Sequence, residues 1–137
     1  MPNDCYNRVE IHGEPDQLKK VKELLNGKET CFDFNAVLPQ PDYDKVRVYP
    51  TFPEGKSNKD PVDKEQAWWD WCIQNWGTKW NSYDCFLEQD EEDSIRYVFY
   101  TAWSPPEGIM KKLREKFPDV HISAFYDEPG FEIAGYY

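Results

Sequence analysis

Ser94-Ile95-Arg96-Tyr97-Val98-Phe99-Tyr100-Thr101-Ala102-Trp103-Ser104-Pro105-Pro106-Glu107 is the stretch on which the fold turns. β-Branched and aromatic residues dominate Ser94–Trp103, as a pleated strand requires. Ser104-Pro105-Pro106-Glu107 then opens a helix, with serine at the cap, proline at the first helical position and glutamate where a capping box needs it. Ile109, Met110, Leu113 and Phe117 give that helix an apolar face, and Pro118 stops it. Upstream, Tyr83–Gln89 reads as a second strand, joined to the first by the acidic tip Asp90-Glu91-Glu92-Asp93 to make a hairpin. Downstream, Val120–Asp127 is a further strand, followed by a Pro129-Gly130 turn and a short apolar tail, Phe131–Tyr137.

The amino-terminal part supplies the other half of the pattern. Cys5, Asn7, Val9 and Ile11 alternate with Tyr6, Arg8, Glu10 and His12, which predicts a half-buried strand ended by Gly13. Pro15 suits a first helical position, and Leu18, Val21, Leu24 and Leu25 follow at helical spacing until Asn26-Gly27. From about Lys28 to Asp63 the prolines 39, 41, 50, 53 and 61 predict irregular loop with a short extended piece, Lys45–Tyr49. Asp60-Pro61 opens another helix, on which Trp68, Trp69, Cys72, Ile73 and Trp76 share one stripe, and Gly77 ends it. The class is therefore α+β: a ferredoxin-like β-α-β-β-α-β antiparallel sheet with a Trp-rich helical insertion after the first helix. Residues 1–137 are expected to form a single domain, with the insertion at about 28–80.

Composition narrows the function classes. Leu, Ile and Val together supply 20 of the 137 residues, so the aliphatic core is thin. Its place is taken by 6 Trp, 9 Tyr and 8 Phe, each able to bury roughly 150–250 Å² when Trp or Tyr. A net charge of −10 argues against direct nucleic acid binding and against a membrane surface. Met1–Glu10 has no apolar signal core, and no run approaches the ~18 apolar residues of a membrane span. Cys5, Cys31, Cys72 and Cys85 are scattered; two disulfides in three connectivities are open, and a cytosolic chain with four buried thiols is the preferred reading. His12 and His121 lie near no pair of cysteines, so no metal site is expected, and no cofactor.

The strand Ser94–Trp103 is apolar on both sides, with Ile95, Tyr97 and Phe99 alternating with Val98, Tyr100 and Ala102. A sheet face in water should be polar there, and only Arg96 is. The expectation is a third layer, with the Trp-striped helix as a lid over the face opposite the two main helices. Arg96-Tyr97-Val98-Phe99-Tyr100 also has the look of an RNA-binding aromatic platform. The charge, the lack of a Lys/Arg-Gly-aromatic string and the expected lid weigh against it.

Several longer strings carry a resemblance: Met1-Pro2-Asn3 with Cys5 and Asn7, Phe34-Asn35 with Leu38-Pro39, Asn75-Trp76-Gly77-Thr78-Lys79-Trp80, Thr101-Ala102-Trp103-Ser104-Pro105-Pro106, and Glu128-Pro129-Gly130 with Ala134-Gly135. On them the chain resembles the YubB-like proteins of phages and plasmids, which carry a ferredoxin-like domain. The resemblance spans nearly the whole chain, in order. It departs at Asp4, where an aromatic is common, and at Tyr137, where relatives usually continue with another strand. It implies an uncharacterised mobile-element protein in the cytoplasm of a bacterial host, and it implies no activity.

Two kinds of site are expected from the residues. Trp76, Thr78, Lys79, Trp80, Trp103 and Ser104 sit at the two ends of the hairpin, which reads either as a small-ligand-binding or enzymatic pocket or as a packed corner with Gly77 and Pro105 fixing the turns. Asp90, Glu91, Glu92, Asp93, Asp127 and Glu128, with Asp42, Asp44 and Glu132, form either an acidic surface for a basic protein partner or a solvated face that keeps the chain soluble. Pro2, with Met1 removed, would present a secondary amine able to act as a base. No nucleophile elbow or metal-binding helix motif is present, so catalysis is not expected. The leading reading is a non-catalytic protein-interaction module acting through its acidic surface; the alternative is the pocket lined by Trp76, Trp80 and Trp103.

Overall fold

The structure is a computed structural model and describes residues 3–41 and 64–137. Pro2, the Lys45–Tyr49 piece, the Asp60-Pro61 helix start, Asp42 and Asp44 lie outside the described residues. The chain runs β1 (Asp4–His12), α1 (Pro15–Leu25), α2 (Phe34–Val37), α3 (Lys64–Asn75), β2 (Tyr83–Asp90), β3 (Ser94–Ala102), α4 (Glu107–Lys116), β4 (His121–Glu128) and β5 (Ile133–Tyr136). The strands form one sheet in the order β2-β3-β1-β4-β5, and every neighbouring pair is antiparallel. β1 lies at the centre, with Val9 opposite both Tyr97 and Ala124. The tail expected after Pro129-Gly130 is in fact a fifth strand, which continues the sheet beyond β4.

One face of the sheet is closed. Cys5, Val9 and Ile11 of β1 and Ile95, Tyr97 and Phe99 of β3 are buried beneath Leu18, Val21 and Leu25 of α1 and Ile109, Met110 and Leu113 of α4. Phe32 and Phe34 add an aromatic cluster at the end of this core, their rings 4.7 and 5.9 Å from that of Phe99. Cys72 and Trp76 of α3 join the same cluster, with Trp76 5.5 Å from Phe34. The expectation of a lid on the opposite face is therefore corrected: α3 packs beside α4, on the side already covered. The reason is steric. Gly108 carries no Cβ, and one placed there would come 1.9 Å from the carbonyl oxygen of Asn75. The last turn of α3 thus abuts the first turn of α4, and the Gly108 N–H donates to the Trp76 carbonyl at 3.1 Å.

Tyr6, Arg8, Glu10, Arg96, Val98 and Tyr100 form the outer face, partly or well exposed. They cover one another sideways. Tyr100 stacks on Tyr83 and meets Tyr6 edge-on, at 6.1 and 6.0 Å. The Arg96 guanidinium bridges Glu10 at 3.0 Å and Glu88 at 3.2 Å.

The capping box expected before α4 does not form, because the Ser104 hydroxyl is used elsewhere and Pro106 stands at the cap. The expectation of four thiols is also corrected. Cys31 and Cys85 form a disulfide, with Cα atoms 5.9 Å apart, while Cys5 and Cys72 are free and buried. The two partners are separated by 54 residues in sequence, and the loop after α1 brings Cys31 alongside β2.

Candidate functional site

The two Trp-bearing strings meet as a clasp. The Thr78 hydroxyl donates to the Ala102 carbonyl at 2.8 Å, and the Ser104 hydroxyl donates to the Gly77 carbonyl at 2.6 Å. Gly77 has φ +91, and a Cβ there would meet the Glu107 nitrogen at 2.9 Å, so only glycine fits this turn. Thr78 is fully buried and both hydroxyls are committed to backbone, which leaves neither Thr78 nor Ser104 facing a ligand.

From this clasp the aromatic candidates part in two directions. Lys79 lies between two indoles, its Nζ 5.6 Å from the ring centres of both Trp69 and Trp103. Trp103 adopts a left-handed backbone, φ 71, rare for a bulky residue. It is held there by its N–H, which donates to the Asn3 carbonyl at 2.9 Å, and its ring lies 6.2 Å from Phe131. Trp76 and Trp80 go the other way and, with Trp68, wall a cleft of about 580 Å³. Trp103 is not among its walls, so the six pocket candidates divide into a clasp, a filled indole pair and an open cleft.

The cleft is built from α3, the segment entering β2 and the loop after α1. Trp76 is fixed by its Nε1–H, which donates to the Leu38 carbonyl at 2.9 Å. Asn81 locks the opposite side: its Oδ1 accepts from the backbone N–H groups of Phe34 and Ser82, both at 2.9 Å. Its Nδ2 donates to Asp33 Oδ1 at 2.8 Å, the same oxygen that caps α2 by accepting from the Asn35 N–H at 3.0 Å. The Ser82 hydroxyl donates to the Phe32 carbonyl at 2.6 Å, with Thr30 2.7 Å away. The Cys31–Cys85 disulfide ties the same loop to β2. The cleft is thus preorganised by hydrogen bonds and a cross-link on one side and by a packed helix on the other.

Asp4, Glu29, Asn35, Gln40 and Tyr83 complete the polar part of the wall. The Tyr83 hydroxyl donates to Asp4, and burial, followed by that bond to a carboxylate, pushes its ionisation upward. Trp68, Asn81, Glu29, Asp4 and Tyr83 are lining residues that the sequence did not single out for this site. The Trp stripe pointed to Trp68 as a buried residue; nothing local signalled that the loop at Glu29 would close the other side.

The buried thiols near the core offer no nucleophile at neutral pH. Burial pushes both Cys5 and Cys72 up to about 11, so each stays protonated. Cys72 accepts a hydrogen bond from Gln40 Nε2 at 3.0 Å.

The acidic candidates do not share one surface. Gly13 N–H donates to the Asp93 carbonyl at 3.1 Å, which puts the Asp90–Asp93 tip beside the His12 end of β1. Asp127 pairs with Tyr6, at the other end of the same strand. The two lie about 20 Å apart at ~3.3 Å per residue. Glu128 is corrected outright: it is fully buried, with Oε2 accepting from the Phe131 N–H at 2.5 Å and Oε1 unpartnered among the described residues. Strand alternation carried that signal, since Glu128 shares a side with Ile122 and Ala124 rather than with Asp127.

On the outer face Asp4, Glu10, Glu88 and Asp127 outnumber Arg8 and Arg96, and Arg96 is neutralised by two carboxylates. The openness of this face removes one argument against an RNA platform, yet its charge still opposes a phosphate backbone.

Residues 75–137 match the family model described as the ferredoxin-like domain in Api92-like protein. The crystal structure of the protein api92 from Yersinia pseudotuberculosis is similar over 99% of this chain and 93% of that chain, with a TM-score of 0.64 at 15% identity. The domain is ferredoxin-like. The β2-β3-β1-β4 core of this ferredoxin-like domain carries β5 as an added edge strand. No curated protein matches the sequence. Among the described residues no helix is long and apolar enough to cross a membrane, and no group of His, Cys, Asp and Glu is arranged to hold a metal ion.

Proposed function

We propose that this is a non-catalytic binding domain of a mobile-element protein, resident in a bacterial cytoplasm, with the tryptophan cleft as its ligand site. The observation that carries the reading is the cleft itself. A volume of about 580 Å³ falls in the range of small-ligand sites, and two partly exposed indoles, Trp68 and Trp80, backed by the buried Trp76 and a few fixed polar groups, match their usual lining. The protonated state of Cys5 and Cys72 supports binding over covalent catalysis. The phage or plasmid setting rests on the YubB-like strings. A fragment screen read by the indole N–H NMR signals tests the site. Ligands should shift Trp68 and Trp80 together and leave Trp103 in place; hits that cluster elsewhere on the surface would sink the reading.

The exposed run Glu91, Glu92 and Asp93 favours a second reading, docking of a basic protein at the hairpin tip. Asp90 is already partnered by Lys22 at 2.8 Å, but the other three have no ion pair among the described residues. Such a complex should dissociate steeply as salt rises, whereas cleft binding should not. A salt-independent complex would exclude it.

A further inference from the structure

The chemistry of the cleft walls, taken as the ligand site, specifies the charge of what fits there. Trp68, Trp80 and Tyr83 present aromatic surface over the buried Trp76, and the charged lining residues are two carboxylates, Asp4 and Glu29. No lysine or arginine is among the described lining residues. Neither carboxylate has an ion-pair partner among the described residues, although Asp4 accepts the Tyr83 hydroxyl. An anionic ligand would meet like charge and no donor cation. A neutral one would leave the carboxylates without compensation. A cation is attracted by the negative faces of the indoles and by both acids at once.

The molecule shows the same chemistry a short distance away. Lys79 Nζ sits 5.6 Å from both Trp69 and Trp103, so one indole pair is already filled by the chain's own ammonium. The cleft has a comparable aromatic wall, with carboxylates added and no internal cation among its described lining residues. Its volume of about 580 Å³ exceeds what one ammonium head needs, which leaves room for the stem that carries it.

We propose that the cleft bounded by Trp68, Trp80, Tyr83, Asp4 and Glu29 is an aromatic cage for an alkylated ammonium group. The inference rests on the cleft being the ligand site and adds the class of ligand. A free quaternary ammonium compound and a methylated lysine on a protein chain share that chemistry. Their relative affinity separates them.

The test titrates the whole protein with choline, with a trimethyllysine peptide, and with neohexyl alcohol, the uncharged carbon isostere of choline, following the Trp68 and Trp80 indole signals. Both cations should shift those signals, with the isostere about tenfold weaker or more. Tighter binding of the peptide than of choline identifies a protein side chain as the source, and the reverse identifies a free small molecule. Glu29→Gln should weaken the cations several-fold and leave the isostere unchanged. Trp80→Ala should abolish cation binding. If that variant melts early, Trp80→Phe, which keeps an aromatic face, should retain binding and the fold together. Equal binding of the isostere overturns the cation inference and leaves the cleft as a ligand site. Cations and isostere that all leave Trp68 and Trp80 unmoved, while fragments still bind there, also overturn the cage; silence from every probe overturns both readings.

Discussion

The two faces of the central sheet are built from similar residues and meet opposite fates. Phe99 and Tyr100 are neighbours on β3, one fully buried under helices and the other 36% exposed. The inward set gains its burial from a second layer. The outward set gains a partial version of it within its own layer, by stacking Tyr83, Tyr100 and Tyr6 across three strands and by laying Arg8 over Phe125 at 5.0 Å. Tyrosine makes this workable, because its ring packs laterally while its hydroxyl stays wet. Apolar character on both sides of a strand therefore does not require a layer on both sides of a sheet.

The largest test of that contrast is a pair of truncations on one strand. Phe99→Ala should cost about 3–5 kcal/mol in urea denaturation, while Tyr100→Ala should cost about 1 kcal/mol or less. Equal losses would mean that the outer face is covered in solution and would break the comparison. Next in size is the cross-link on the closed side. Its loop of 54 residues corresponds to stabilisation of about 2–4 kcal/mol, so Cys31→Ser with Cys85→Ser should lower the melting temperature and make it insensitive to reductant. A wild-type melt that reductant does not change would show that the pair is not a bond in the sample at hand.

A smaller effect separates the faces by pH. The Cys5 and Cys72 thiols lie on the closed side, and burial raises both from 9.0 to about 11. The unfolded chain loses these protons first, so the stabilisation they carry is complete below pH 9 and declines as pH rises from 9 toward 11. Cys5→Ala with Cys72→Ala should flatten this alkaline decline, and in the native wild type both thiols should resist alkylation at neutral pH until urea is added. The smallest effect belongs to Phe86, 66% exposed on the outer face. Phe86→Ser should change stability by no more than about 0.5 kcal/mol, while reducing self-association measured by light scattering.

What the sequence made legible was local. Pro15, the Asp90–Asp93 tip and the Leu18–Val21–Leu25 spacing act within a few residues, and the elements they mark are present. The stripe on α3 told which residues bury, since Cys72 and Trp76 are in the core, but a stripe carries no information about which side of a sheet receives it. That choice was made by Gly108 against Asn75, an approach between residues on different helices. The Cys31–Cys85 pair and the Asn81–Asp33 bond were hidden for the same reason, as both join segments separated by about fifty residues. At the site, Trp76 and Trp80 were legible as unusual residues in a dense string. Their separation from Trp103 was not, because it depends on which way Lys79 turns between two indoles.

The contact at Gly108 has a use beyond this chain. The missing Cβ admits the Asn75 carbonyl, and through it the end of α3 that carries Trp76 is seated against α4. A related sequence with any larger residue at the equivalent of 108 must have shifted that helix or dispensed with it, and the indole wall goes with it. One letter in an alignment thus becomes a diagnostic: glycine there marks the chains in which a tryptophan-walled cleft is worth seeking, and its replacement marks those that share the sheet alone.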